Sequence, residues 1–498
     1  MVYTKKIVFL SFIFSFFHTM KTTHLIVPCV IGFVGCSHSS QQDNIQPNII
    51  YILADDLGYG DLECYGQTII QTPHIDQLAA EGMRFTRHYA GCTVSAPSRS
   101  SLVTGLHTGH TPIRGNKSHQ PEGQYPQPGD TYTIGKMLKE GGYITGCFGK
   151  WGLGYPGSEG APENQGIDEF FGYNCQTLAH NYYPYYLWHN KDTVWLKGNE
   201  GTQTGEYAQD VIHREAKKFI RDNKDRPFFA FLTYTLPHAE LVTPADSIEA
   251  MYNGKFPETP FQGVDSGTNY KRGGYGSTSH PKADFAAMVT RLDAYVGDIM
   301  AELKALGLDK NTVVMFSSDN GPHREGGADP DFFNSYGPLR GVKRDLYEGG
   351  IRIPMIAWYP EKIKAGSVTD HVSAFWDVMP TFAELTGTKA AEHTDGISFL
   401  PTLLGKRTQT KHDFLYWEFH ELGGKIAVTK GDWKAIWLNV NNPEKTTVEL
   451  YDLSKDVHED NNLAQQHPEI IAELDLLMRK LHVDSEAFPF PLPVQLSE

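Results

Sequence analysis

The chain has 498 residues, of which 40% are apolar and 21% are charged, as is typical of a globular protein with a sizeable core. Its 44 basic and 59 acidic residues give a formal net charge of −15, which argues against general nucleic-acid binding. An anionic substrate must therefore be held by a local basic cluster, against the field of the whole molecule. Beyond the N-terminal segment, no stretch is long and apolar enough to span a bilayer.

The first 36 residues have the pattern of an export signal. Two lysines precede an apolar run at residues 7–17, and a second, complete signal begins at Met20 with its own apolar run at residues 25–35. This second run leads into "FVGC", which resembles a bacterial lipoprotein cleavage site and predicts a lipid on Cys36. An ordinary cleaved signal peptide is the alternative. We therefore expect an exported bacterial protein, in the periplasm or attached to the outer membrane, and we favour Met20 as the start.

A polar linker at residues 37–47 leads into residues 48–405, where strand-like and helix-like patterns alternate. Short apolar runs between amphipathic stretches of ten or more residues are typical of a parallel sheet covered by helices. We predict an α/β catalytic domain with a large, mostly parallel central sheet and helices on both faces. The strands are predicted at residues 48–56, 143–149, 227–238 and 312–320, and the helices at residues 72–82, 133–142, 206–223 and 285–306.

The pattern changes from about residue 406. Short strand-like runs separated by turns are followed by an amphipathic stretch at residues 468–482. These features predict a smaller α+β subdomain over residues 406–498, with an antiparallel sheet and one closing helix. A Gly- and Ser-rich stretch at residues 261–280 predicts a long surface loop.

Polar side chains follow two of the predicted strands directly. Asp55 and Asp56 follow the first strand, and Asp319 and Asn320 end another. Ligands bind at the carboxyl ends of the strands in such sheets, and an all-oxygen set suits a hard divalent ion such as calcium. The alternative for each pair is a turn-forming cluster of Asp and Asn.

The stretch "CTVSAPSRSSLVTG" contains two candidate nucleophiles, Cys92 and Ser95. We expect Ser95 to precede a helix, where backbone N–H groups favour an oxyanion, with Arg99 one turn later to hold it further. The alternative is that Ser95 caps the helix. Lys150 follows a predicted strand, His238 ends one, and Lys343 lies in "LRGVKRDLYEGGIRIP". Each taken alone is more typical of a structural or solvated side chain.

Taken together, these motifs resemble a sulfatase of the alkaline phosphatase superfamily. "SAPSRSSLVTG" is similar to the family signature, and "NIIYILADDLGYGDLECYG", "GKWGLG", "TLPHAE", "SSDNG" and "LRGVKRDLYEGGIRIP" follow in the family's order. The resemblance covers about residues 48–460, and its specificity comes from the combination, since each piece alone is weak.

The resemblance implies a function for each of these positions. Ser95 is at the position converted to formylglycine, by a serine-type maturase, and Cys92 is out of register with "PSR". Arg99 would stabilise the formylglycine hydrate, and His238 would protonate the leaving alcohol. The implied calcium ligands are Asp55, Asp56, Ser95, Asp319 and Asn320, and the implied sulfate-binding residues are Lys150, His238 and Lys343.

The chain departs from the family pattern at Gly152, where many members have a histidine that touches the formylglycine. Either a water fills this space or another histidine does, and the candidates are His107, His110, His180 and His323.

The segment at residues 173–190 combines aromatic, histidine and asparagine residues, which suit a sugar ring; a packing cluster is the alternative. Together with the lipoprotein signal, this segment favours an exo-acting sulfatase on a sulfated carbohydrate, with His180 in contact with the substrate. Two other functions stay open: a phosphodiesterase or phosphonate monoester hydrolase of the same superfamily, and an inactive glycan-binding lipoprotein.

Overall fold

The computed structural model describes residues 46–267 and 273–493. The predicted export signal and Cys36 lie outside the described residues. Eleven strands form the main sheet: β1 (Asn48–Ala54), β2 (Met83–Tyr89), β3 (Ile144–Lys150), β4 (Glu169–Tyr173), β5 (Tyr186–His189), β6 (Asp192–Trp195), β7 (Phe228–Thr233), β8 (Thr312–Ser318), β9 (Arg352–Trp358), β10 (Ser367–Thr369) and β11 (Ser373–Ala374). Four more form a second sheet: β12 (Leu415–Phe419), β13 (Lys425–Lys430), β14 (Trp433–Leu438) and β15 (Thr447–Asp452).

The helices are interspersed with the strands along the chain. They are α1 (Pro73–Glu81), α2 (Ser95–Thr104), α3 (Ile134–Glu140), α4 (Gln176–Ala179), α5 (Ala208–Asp222), α6 (Pro281–Leu306), α7 (Pro330–Phe333), α8 (Glu348–Ile351), α9 (Val378–Thr386), α10 (Leu400–Leu403) and α11 (Pro468–Leu481). Across the described ranges, no helix has both the length and the apolar character needed to cross a bilayer.

The main sheet has the order β10-β2-β9-β8-β1-β7-β3-β4-β5-β6, with β11 paired to β2. Its centre, from β8 through β4, is parallel, whereas β9 and the β5–β6 hairpin add antiparallel pairs. Every residue of β1 and β8 is buried, as expected for strands covered on both faces. The predicted α/β fold with a large, mostly parallel sheet is confirmed.

Alternating side chains of β1 pack into two separate cores. Ile50 and Ile52 face one core, together with buried residues of α5 and α6. Ile49 and Tyr51 face the other, together with residues of α2, α3 and α9. Because successive side chains of a strand point to opposite faces, a continuous apolar run fills both cores and fixes the strand in the middle of the molecule.

The second sheet is antiparallel throughout and has the order β12-β13-β14-β15. Apolar residues of α11, among them Leu474 and Met478, pack with Ile426 and Val428 of β13. This agrees with the predicted small antiparallel sheet and closing helix, while the boundary between residues 405 and 406 stays a prediction.

Two local expectations were wrong. The strand predicted to run to His238 ends at Thr233, so His238 lies in the turn that follows rather than at a strand end. Helix α2 begins at Ser95, not after it, and Val94 is the residue before its first turn. Ser95 is therefore not a helix cap, and its hydroxyl bonds elsewhere.

Candidate active site

The predicted polar residues meet at the carboxyl edge of the main sheet. Asp55 and Asp56 follow β1, and Asp319 and Asn320 follow β8, its direct neighbour. The Asp56 backbone N–H donates to Asp319 Oδ1 at 3.1 Å, and all four residues are buried. Parallel pairing of the two strands is what brings these pairs together from positions about 260 residues apart.

The oxygen atoms of this group fit a divalent cation. Asn320 Nδ2 donates to Asp56 Oδ1 at 2.7 Å, which leaves Asn320 Oδ1 buried with no hydrogen-bond partner within the described part of the chain. A buried amide oxygen without a partner is costly, and a cation is one way to satisfy it. Three buried carboxylates with this amide are the all-oxygen donor set that calcium prefers.

Ser95 lies at the centre of the cluster, with only 1% of its surface exposed. Its Oγ donates to Asp55 Oδ1 at 3.2 Å and accepts from Lys150 Nζ at 3.2 Å. The backbone N–H of Ala96, the next residue, donates to Asn116 Oδ1 at 3.1 Å, so this N–H group of the first helical turn already has a hydrogen-bond partner. Among these contacts, Lys150 is the positively charged side chain that bonds to Ser95 Oγ.

Arg99 lies among the carboxylates rather than against Ser95. Its Nε donates to Asp319 Oδ2 at 3.0 Å, and its Nη1 donates to the Lys150 carbonyl at 2.8 Å. Its Nη2 lies 3.5 Å from Asp55 Oδ2. Arg99 thus holds two of the candidate ligands and the end of β3 in place.

Two lysines neutralise the two adjacent aspartates. Lys150 Nζ lies 2.6 Å from Asp55 Oδ2, and Lys343 Nζ lies 2.8 Å from Asp56 Oδ2. Although burial alone would raise it, the charge of Lys150 holds the pKa of Asp55 well below its usual range. For Asp319, burial and then the charge of Asp55 raise the pKa to about 6. Positive and negative side chains lie side by side in a buried site, where the low local dielectric constant strengthens each interaction.

His238 joins the cluster beside Lys343. Its Nδ1 donates to the Ala239 carbonyl at 2.5 Å, so its Nε2 is the acceptor that Lys343 Nζ meets at 3.2 Å. The same Nε2 is 3.4 Å from Asp56 Oδ2. Burial, and then the charge of Lys343, hold the pKa of His238 well below its ordinary value, so the ring is neutral here.

The predicted substrate contact His180, the residue after α4, is also brought to the site. Its ring stacks on the His238 ring, with centroids 4.8 Å apart and an angle of 11° between the planes. Its Nδ1 donates to the Gly273 carbonyl at 3.2 Å, and this bond leaves Nε2 as an acceptor.

The other three histidines that were candidates for the space beside Gly152 make contacts of their own. His107 Nδ1 accepts from the Gly109 N–H, and His110 bonds to Asp395. His323 stacks behind His238, and both of its ring nitrogens bond to the backbone.

The residue that fills the space beside Gly152 is Gln176, which the sequence did not indicate. A Cβ at Gly152 would lie 3.2 Å from Gln176 Cγ and 3.4 Å from Gln176 Nε2. The Gly152 φ of +78° also disfavours any larger residue there. Gln176 Nε2 is buried and has no hydrogen-bond partner in the described ranges. The only sequence signal for Gln176 was its position within the aromatic segment at residues 173–190.

Cys92 lies outside the cluster. Its thiol packs in the core between the two sheets and lies 3.3 Å from the Glu418 carbonyl oxygen, and burial raises its pKa to about 12. A buried thiol that stays protonated is not a nucleophile at neutral pH.

The fold and the site define a class: an α/β protein with a buried serine hydroxyl, lysines that suit an anionic group and an all-oxygen set of side chains. The family described as Sulfatase matches residues 47–388, and the C-terminal region of N-sulphoglucosamine sulphohydrolase matches residues 342–484. The chain belongs to the sulfatase family and is a sulfuric ester hydrolase.

Several characterised proteins are similar to the chain over most of its length. N-acetylgalactosamine-6-O-sulfatase of Bacteroides thetaiotaomicron is 31% identical, over 93% of this chain and 99% of that protein. Human arylsulfatase A is 31% identical, over 88% of each chain. The solved structure of Ps i-CgsB in complex with k-i-k-neocarrahexaose is 29% identical, with a TM-score of 0.72 over 87% of this chain and 92% of that chain.

Proposed function

We propose that this protein removes sulfate from the end of a sulfated carbohydrate, with formylglycine made from Ser95 as nucleophile and a bound calcium ion. The observation that carries the proposal is the position of the Ser95 hydroxyl, which contacts Asp55 and Lys150 beside the all-oxygen ligand set. Asp55, Asp56, Asp319 and Asn320 would hold the ion, together with the group formed from Ser95.

Each side chain has a task that follows from its contacts. When formed, the hydrated aldehyde supplies one hydroxyl to attack sulfur and a second whose collapse expels sulfate. Lys150 and Lys343 bind the sulfate oxygens and offset the charge that develops on them. Arg99 keeps Asp319 ionised and oriented. His238 Nε2, which accepts from Lys343 in the free site, takes up a proton when the anionic sulfate group binds beside it and passes that proton to the leaving alcohol, whose bond to sulfur breaks as the new bond forms.

The names of the relatives support a galactose-type sugar. One relative is called an N-acetylgalactosamine-6-O-sulfatase, and the solved relative was crystallised with a neocarrahexaose. The site adds His180, whose Nδ1 bonds to the Gly273 carbonyl and whose Nε2 can therefore accept from a sugar hydroxyl beside His238. We therefore propose a 6-O-sulfated N-acetylgalactosamine or galactose at the chain end as the substrate.

The test is sulfate release from matched esters. We expect the highest kcat/KM on N-acetylgalactosamine 6-sulfate or galactose 6-sulfate, with glucosamine 6-sulfate, nitrophenyl sulfate and nitrophenyl phosphate for comparison. A higher kcat/KM on the phosphate ester would replace the proposal with phosphoester hydrolysis. No turnover by protein in which Ser95 is oxidised would leave only glycan binding.

Protein produced with a serine-type maturase is expected to carry formylglycine at Ser95. The motivation is the register of Ser95 in "SAPSR" and its contact with Lys150. Peptide mass spectrometry should find the Ser95 peptide lighter by two hydrogen atoms, and protein from a host without the maturase should keep the serine and not turn over. Full activity of protein whose Ser95 is unmodified would refute the formylglycine proposal.

The His238→Ala variant is expected to lose far more activity on a sulfated sugar than on nitrophenyl sulfate. A sugar alkoxide needs a proton as it leaves, whereas a nitrophenolate does not, and such assistance is worth roughly 10²–10⁴-fold. kcat/KM on both substrates, in wild type and variant, measures the difference. If His238 only holds sulfate, both substrates lose rate by the same factor.

A further inference from the structure

Three aromatic side chains lie on one face of the β5–β6 hairpin at the end of the main sheet. Tyr186 pairs directly with Trp195, and Trp188 is two residues further along the same strand, so all three point to the same face. Leu187 and Val194 point to the opposite face, into the core. We call Tyr186, Trp188 and Trp195 the aromatic face. Trp188 is partly buried against the core that contains Ile49 and Tyr51, whereas Trp195 is exposed.

A carboxylate holds two of these rings in fixed positions. Glu122 Oε2 accepts from the Tyr186 hydroxyl at 2.5 Å, and Glu122 Oε1 accepts from Trp188 Nε1 at 2.7 Å. Trp195 contacts the Tyr186 ring edge to face, with centroids 5.4 Å apart, yet 64% of its surface is exposed. Trp195 is thus held by an ordered neighbour and presents its indole to solvent.

Topology places the aromatic face at the catalytic edge of the sheet. Lys150 pairs with Tyr173 at the carboxyl end of β4, and β5 runs back antiparallel from that same end. Tyr186 begins β5 and Trp195 ends β6, so both lie at the edge where Lys150 reaches Ser95. With about 4.8 Å between neighbouring strands, the hairpin is roughly 10–15 Å from β3.

The chain also connects the aromatic face to the floor of the site. Glu122 is two residues from Gln124, whose side-chain oxygen accepts from the backbone N–H of Gln176 at 3.3 Å. The Gln176 side chain in turn lies over Gly152, two residues after Lys150. A series of side-chain contacts and short chain segments therefore connects Lys150 to Trp195.

We propose that the aromatic face binds the sugar residues that follow the sulfated one in an oligosaccharide. This inference rests on the proposed function. Exposed indole faces pack against the apolar faces of sugar rings, and the ordered Glu122 carboxylate can accept hydroxyl groups. The same carboxylate disfavours a second sulfate at this position, so the neighbouring sugar presents hydroxyls to it. One hairpin face is far smaller than the roughly 800 Å² per partner of a stable protein interface, which argues against a protein as the occupant.

The experiment compares a short and a long substrate in the mature enzyme. The substrates are N-acetylgalactosamine 6-sulfate and a tetrasaccharide that carries this sugar at its non-reducing end, followed by three neutral, unsulfated sugars. We expect Trp195→Ala to lose about three- to tenfold in kcat/KM on the tetrasaccharide, mainly through KM, and to match wild type on the monosaccharide. Trp195→Phe, which keeps an aromatic face, should recover most of the loss. Leu476→Ala, at a similarly exposed apolar residue on α11 (61%), is the control and should change neither value.

Binding to the Ser95→Ala protein gives a second measurement that needs no turnover. Titration with the tetrasaccharide should show weaker binding when Trp195 is also alanine. Equal values for Trp195→Ala and wild type on both substrates would overturn the inference and leave the proposed function intact. Failure of the wild-type enzyme to hydrolyse or bind either sugar would instead overturn the proposed function, and the inference with it.

Discussion

Replacing Ser95 with alanine is expected to abolish sulfate ester hydrolysis, whereas Cys92→Ala keeps most of it. The Ser95→Ala change removes the only oxygen that contacts both Asp55 and Lys150 among the described residues, but these two remain paired at 2.6 Å. The fold should therefore persist without the nucleophile. kcat/KM on nitrophenyl sulfate and the thermal midpoint of both variants provide the measurement.

The Cys92→Ala variant is the matched control three residues away. Its thiol is buried in an apolar cluster, so we expect a loss of about 1 kcal/mol in stability and little change in rate. An inactive Cys92→Ala enzyme alongside an active Ser95→Ala enzyme would show that the register of the signature is wrong.

The Asp319→Asn variant is expected to lose at least about a hundredfold in activity, together with the stabilisation by calcium. Asparagine has the size of aspartate but lacks its negative charge. In wild type, the Asp319 carboxylate accepts hydrogen bonds from Arg99 and from the Asp56 backbone N–H. In wild type, calcium at about a hundred times its dissociation constant should add roughly 2.7 kcal/mol to the free energy of unfolding. Thermal unfolding with calcium and with a chelator measures this difference.

Asp293→Asn is the control for that experiment. Asp293 is also a buried carboxylate, but it bonds to His74 and to the Ile75 N–H, away from the cluster. The control should keep both activity and the calcium shift. Stoichiometric zinc in the purified enzyme, or a calcium shift that survives in Asp319→Asn, would contradict an oxygen-only site at these residues.

Much of the fold was predictable because strand and helix patterns are local. The apolar run of β1 predicted a strand buried on both faces, and the spacing of Phe285, Met288 and Leu292 predicted the long helix α6. The ends of the strands and helices were predicted less accurately. β7 ends at Thr233 because the chain turns there and the Leu236 carbonyl accepts from the Asp55 N–H, a contact that no local pattern contains.

The sequence by itself determined the α/β class, since this depends on residue type and spacing within local segments. It also predicted an all-oxygen ligand set from the Asp and Asn residues at two strand ends, and the resemblance to the family placed Ser95, not Cys92, at the signature position. Only the tertiary structure decided that Gln176 lies over Gly152, that His180 stacks on His238 and that both ring nitrogens of His323 bond to the backbone. The order of the strands sets these contacts. It places the end of β3 beside the segment after β4, and the turn after β7 beside α4. Periodicity within a segment carries no information about which segments become neighbours, because that choice depends on how all the apolar faces are buried together.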